Sequence, residues 1–198
     1  MYEKFNEFEM NILAEVGNMS VGGAAGSLGD FIHKTVNISI PKVKIMNKEE
    51  IFEKFGKDCI IVRINFVEGV KLSNLMVLEK EEAYKFAELV LKNKISNFNE
   101  EEMDEMAEEV LKEVFNIMVG NMTANMGEIL SKHVKIDTPK FITKEEHFEI
   151  DKGSYIATWF ELRIENDMKM KLVDIVDEEQ ARFMIDTIKE GQNYERYE

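Results

Sequence analysis

The apolar positions of the chain change period several times, and each change marks an element. From about Lys4 to Lys34 apolar residues recur every three or four positions (Met10, Leu13, Gly17, Val21, Ala24, Leu28, Phe31), which predicts one long amphipathic helix, bent near Gly22-Gly23. Thr35 to Met46 alternates (Val36, Ile38, Ile40, then Val43, Ile45) and predicts a strand interrupted at Pro41. Lys48 to Phe55 reads as a short amphipathic helix or loop. Cys59 to Val67 and Val70 to Glu79 flank Glu68-Gly69 as a hairpin, and Glu81 to Lys92 returns to helical spacing. The order then repeats: a helix over about 100–132 with Asn99 as N-cap, an extended segment over 133–143, a hairpin joining Tyr155–Glu165 to Met168–Val176 through Asn166-Asp167, and a helix over Glu178–Lys189. The expected fold is α+β: one internally duplicated domain over 1–198, with two α-β-β-β-α halves (about 1–98 and 99–198) and a mostly antiparallel sheet packed against the long helices.

The repeat has one register. Glu15 and Asn18 correspond to Glu113 and Asn116, each 98 positions later, and the only two prolines, Pro41 and Pro139, keep the same offset. So do Gly22/Gly120, Gly29/Gly127, Val36/Val134, Ile38/Ile136, Lys42/Lys140 and Ala83/Ala181. An offset held this long without a gap points to duplication.

Opposite the apolar stripe of the first helix, Glu15, Asn18, Gly22, Gly26 and Gly29 fall within roughly 80° of one another. In the second long helix the core stripe is Leu111, Phe115, Val119, Met122, Met126 and Ile129, and the outward one is Glu113, Asn116, Gly120, Ala124 and Gly127. Glycine within a helix costs about 1 kcal/mol relative to alanine. Glycines on an outward face therefore either let two helices cross closely or clear space for a partner, and spacing alone leaves both open. A carboxylate and an amide three residues apart stand side by side, one able to accept from a cation, the other to hold a water.

Composition narrows the partners. With 39 acidic against 25 basic residues the net charge is −14, against the basic patches that nucleic acid and anionic membranes require. A single Cys59 excludes an internal disulfide and reads as a small buried residue of a reducing compartment. The acidic N-terminal stretch resembles no targeting peptide and no apolar run reaches about 20 residues, so a cytoplasmic location is expected. His33, His133 and His147 lack ligand spacing. The acidic run Glu100–Glu109 reads as a helix start favoured by the dipole, and Gly22–Gly26 lacks the preceding strand of a dinucleotide loop.

Glu-x-x-Asn followed 23 residues later by Pro, present twice, resembles the CheC/CheX/FliY family of chemotaxis phosphatases, as a stand-alone two-site member. The chain departs from the family pattern one turn before each Glu, with Asn11 and Glu109 where Asp or Ser is usual. The resemblance implies hydrolysis of the aspartyl phosphate of a CheY-like response regulator. Asn18 and Asn116 would orient the water, and Glu15 and Glu113 would engage the regulator's lysine. Gly22, Gly26 and Gly120 are read as the partner's approach. It implies no cofactor or metal of its own, the magnesium belonging to the regulator. Two rivals stand beside it: a non-catalytic module that sequesters the phosphorylated regulator or docks a CheD-type deamidase, and the regulator-binding part of a flagellar switch protein. The second is ranked lower because the sequence ends at Glu198.

Overall fold

A computed structural model describes residues 5–91, 100–142, 153–165 and 168–194. The long helices are α1 (Glu7–Ile32) and α4 (Glu100–Leu130). Strands β1 (Val36–Ile38), β2 (Lys42–Met46), β3 (Cys59–Glu68), β4 (Leu72–Glu79), β5 (Lys135–Ile136), β6 (Lys140–Ile142), β7 (Tyr155–Ile164) and β8 (Met168–Val176) form one sheet, with α2 (Lys48–Glu53), α3 (Lys80–Val90) and α5 (Glu178–Tyr194) completing the order. All strand pairings among the described residues are antiparallel. The mixed, antiparallel architecture is as expected, but eight strands replace six. Each proline-containing segment is two short strands, because proline has no N–H for the ladder and pairing stops around it. Asn99, Asn166-Asp167 and His147 lie outside the described residues.

The strand order β1-β7-β8-β4-β3-β5, with β2 on β7 and β6 on β3, is unchanged when the halves are exchanged. The exchange is centred on Leu75↔Val173, a β4–β8 pair whose members are themselves 98 apart. Strand register refines the ungapped repeat. Ile38↔Leu162 corresponds to Ile136↔Phe66, and Lys42↔Trp159 to Lys140↔Arg63, so β3 and β7 are related by 96 positions. The connection into β7 is two residues short, and a longer second hairpin restores the offset. An even shift leaves every side chain on its original face, which a one-residue slip would not.

The helices α1, α3, α4 and α5 cover one face of the sheet around the main core, which includes Leu28, Phe66, Phe86, Phe115, Phe160 and Leu172. A smaller core on the other face gathers Ile51, Phe52 and Phe55 of α2 over Ile61, Leu75, Ala157 and Val173. Helix α1 starts at a capping box, Asn6 Oδ1 accepting from Glu9 N and Glu9 Oε2 from Asn6 N. It runs through Gly22-Gly23 as one helix and ends at His33 in the left-handed conformation (φ 55°), as α4 does at Ser131 (φ 49°), again 98 apart. The predicted core stripe is buried from Leu13 to Leu28. Phe31, at the helix end, is instead 40% exposed because the core stops at Leu28. Cys59 is half-buried at the start of β3 rather than buried.

Candidate functional site: two exposed Glu–Asn pairs

Helices α1 and α4 lie against each other in antiparallel sense. Ser20 Oγ donates to Met122 O (3.5 Å), while Glu15, further back on α1, shares a groove with Glu128 and Ile129, further forward on α4. The carboxamide of Asn125 clamps the crossing by donating to Met19 O (3.2 Å). Burial of the apolar stripe turns the opposite stripe outward. Glu15, Asn18, Gly22 and Gly26 on α1, and Glu113, Asn116 and Gly120 on α4, are all exposed. The antiparallel arrangement sets the two pairs toward opposite ends of the helix pair.

The glycine question is resolved by space. A Cβ on Gly22, Gly26 or Gly120 would meet nothing within 4 Å, so none of them serves a helix crossing. That service falls to Gly23, where a Cβ would lie 2.3 Å from Asn125 Nδ2, and to Gly17, where it would lie 2.8 Å from the Phe160 ring. Gly29 and Gly127 leave the outward set as well: a Cβ there would sit 2.9 and 3.0 Å from the carbonyls of Lys34 and Lys132, whose N–H groups close the two helix ends.

Among the described residues no hydrogen bond or ion pair engages the side chains of Glu15, Asn18, Glu113 or Asn116. Each pair can offer a carboxylate and an amide to an incoming partner. Their surroundings differ. Glu15 lines a groove of about 890 Å³ with Phe8, Ile12, Met19, Ile188 and Glu190, and Phe8 and Met19 are 61% and 51% exposed. The spacing of α1 alone could not reveal that groove, since α4 and α5 supply its far wall. Beside Glu113, Lys112 lies over the Phe141 ring (4.7 Å), and exposed Glu109 stands one turn earlier. No group of three or more His, Cys, Asp or Glu is placed to hold a metal, and no helix is long and apolar enough to cross a membrane, among the described residues.

An antiparallel sheet under two long helices places the chain in a fold shared with chemotaxis and flagellar-switch proteins of known structure. The chain belongs to the CheC/CheX/FliY family. The family model described as "Chemotaxis phosphatase CheX" matches residues 60–158, half of the chain and the part that carries Glu113, Asn116 and Pro139. The "CheC-like family" model matches residues 8–45, which carry Glu15, Asn18 and Pro41. The chain is similar to the flagellar motor switch phosphatase FliY of Bacillus subtilis, 24% identical over 88% of this chain and 46% of that protein, so it spans about half that relative's length. It is 22% identical to the CheY-P phosphatase CheC of the same organism, over 71% of this chain and 68% of CheC. In fold it matches the crystal structure of Thermotoga maritima FliY (TM-score 0.79, 21% identity, 95% of this chain and 99% of that chain). It also matches the CheX–CheY–BeF3–Mg2+ complex from Borrelia burgdorferi (TM-score 0.62, 20% identity, 83% and 99%).

Proposed function

We propose that this chain hydrolyses the aspartyl phosphate of a CheY-like response regulator in chemotaxis signalling, as one cytoplasmic domain with two pseudo-symmetric sites. Asn18 and Asn116 orient the attacking water, while Glu15 and Glu113 hold the regulator's lysine and so fix the two proteins in register. Phosphoryl transfer needs positioning more than covalent help, and a side-chain amide that aims a water is sufficient machinery. The magnesium belongs to the regulator. The observation that carries this reading is the pairing, on both long helices, of an exposed, unpartnered Glu and Asn with a neighbouring glycine that opens onto free space. The CheX relative solved with CheY supports the choice of partner.

The test is the decay of a phosphorylated CheY-like regulator with wild-type protein, Asn18→Ala, Asn116→Ala and the double variant. Each single variant keeps about half the activity if the sites are equivalent, and the double variant loses on the order of 10²-fold. Glu109 adds a carboxylate beside the second site where the first has neutral Asn11, so the first contributes more at low salt and screening narrows the gap. If the double variant hydrolyses at the wild-type rate, the catalytic assignment fails. A module that sequesters the regulator, or docks a CheD-type deamidase, would then stand in its place.

A further inference from the structure

The face of the sheet away from the Glu–Asn helices carries a second feature that the proposed reaction does not use. Ser39, Lys42, Lys44, Lys54, Trp159 and Lys171 line a cleft of about 330 Å³. Strand register explains the convergence. Lys42 is paired with Trp159 and Lys44 with Ala157, so both lysines project on the face that carries Trp159; Lys171 pairs with Glu161 on the same face, and Lys54 caps α2 above it. The indole is braced from one side by Phe55 (centroids 5.6 Å apart, tilted).

Lysines on an edge strand commonly guard against strand pairing, and Lys42 and Lys44 of β2 alone would need no other account. Lys171 lies on an interior strand, however, and Lys54 belongs to a helix end. Among the described residues none of the four forms an ion pair, in a chain with 39 acidic residues. The one carboxylate in the cleft, Glu161, is taken by Arg163 at 2.7 Å. No cation sits over the Trp159 ring among the described residues either. Lys171, opposite Glu161, also feels that carboxylate, yet four lysines around one carboxylate shared with Arg163 repel one another, and an anion relieves that repulsion.

We propose that this cleft binds a nucleotide, its base against the Trp159 ring and its phosphates among Lys42, Lys44, Lys54 and Lys171. The volume suits a small ligand, lysine ammonium groups serve as point charges for phosphate, and an aromatic ring supplies a stacking surface for any base. The net charge of −14 favours this over a long nucleic acid, whose many phosphates would meet an acidic surface on either side of a single cleft.

Trp159 is the only tryptophan, so its fluorescence, excited where nucleotides do not absorb, reports on the cleft in the full chain. Titration with a nucleoside triphosphate should quench it saturably, with tripolyphosphate binding at least tenfold more weakly and salt weakening both. Lys44→Glu/Lys171→Glu should lose at least tenfold in affinity, and the milder Lys42→Gln/Lys54→Gln should lose less while melting at the wild-type temperature. The proposal is overturned by absence of saturable quenching, by unchanged affinity in both variants, by tripolyphosphate binding as tightly as the nucleotide, or by a polyglutamate peptide that outcompetes it.

Discussion

The two halves share a topology and differ in what they place beneath the long helices. On the inner face, Ile64, Asn74, Asp174 and Thr158 are aligned across β3, β4, β8 and β7. The row related to it by exchange of the halves is Phe160, Leu172, Met76 and Val62. One row is largely polar, the other wholly apolar, and both are buried. The difference extends upward: Ser20 of α1 bonds to α4 where the equivalent position is Met118, and Gly17 lies against Phe160 where the equivalent is Phe115. Asn74 donates from Nδ2 to Asp174 and toward the Met122 sulfur (4.0 Å), while its Oδ1 has no partner. Two rows related by exchange of the halves, each built from both, can therefore keep one backbone plan while one row trades apolar contact for directional contacts between the sheet and the helix pair.

The largest predicted effect removes that difference. Asn74→Leu alone leaves Asp174 buried without its partner and should cost about 3 kcal/mol at pH 8, read from the urea midpoint. Asn74→Leu/Asp174→Met copies the apolar row and should restore stability or exceed wild type. If the double variant is as unstable as the single, the polar row is required by the fold. Burial pushes the Asp174 carboxyl up to about 7, and a protonated carboxyl brings the donor that Asn74 Oδ1 lacks. The folded protein then holds a proton that the unfolded chain releases at ordinary carboxylate pH. The stability this group contributes is full at pH below the ordinary carboxylate range and is lost as pH rises toward about 7. Asp174→Asn should flatten this slope.

A smaller contrast joins each long helix to its neighbouring short one. In the first half, buried Glu9 accepts from Arg182 (2.7 Å) and Lys189 (3.4 Å) of α5. In the second, half-exposed Asp104 accepts from Lys80 (3.1 Å) and from Tyr84, whose place in the repeat is that of Arg182. The Asn6 backbone N–H, then Arg182 and Lys189, hold the Glu9 carboxyl below the usual carboxylate range against the opposing pull of burial. Its contribution is thus present at neutral pH and lost as pH falls through that depressed value. Glu9→Gln should cost about 1–2 kcal/mol at pH 7 and flatten the acid limb of the stability profile, whereas Asp104→Asn should cost less than about 1 kcal/mol. Equal losses would erase the distinction.

Much of this plan was legible in the residues. Periodicity located both long helices and both hairpins within a few positions, and the 98-residue offset alone tied Glu15 and Asn18 to Glu113 and Asn116. Outward placement of those pairs followed from the apolar stripe alone. Local pattern could not show tertiary facts: that β7 is shifted by two residues against the repeat, that α5 walls the groove beside Glu15, or that Asn74 and Asp174 meet 100 positions apart. The Trp159 cleft was invisible for the same reason, since its lysines come from three separate elements.

The smallest effects test which glycines the halves hold in common. Gly22 matches Gly120, and both open onto free space; Gly29 matches Gly127, and both end a helix. Gly17 and Gly23 match Phe115 and Asn121, and they pack against the Phe160 ring and the Asn125 side chain. The shared glycines are thus spared from packing at the crossing, while Gly17 and Gly23 belong to the first half's closer fit and unshared Gly26, which matches Ala124, opens onto free space. Gly22→Ala and Gly120→Ala should each raise stability by up to about 1 kcal/mol, because the helix gains propensity and no neighbour is touched. Gly23→Ala should gain nothing or lose slightly, since its methyl must displace the Asn125 amide from Met19 O. Gly22→Leu/Gly120→Leu should also keep the fold but slow regulator dephosphorylation, as bulk now stands beside both Glu–Asn pairs. Urea midpoints and decay rates measured on the same preparations separate the two roles. Unfolding of the leucine double variant, or its full activity, would remove the partner-approach role from these glycines.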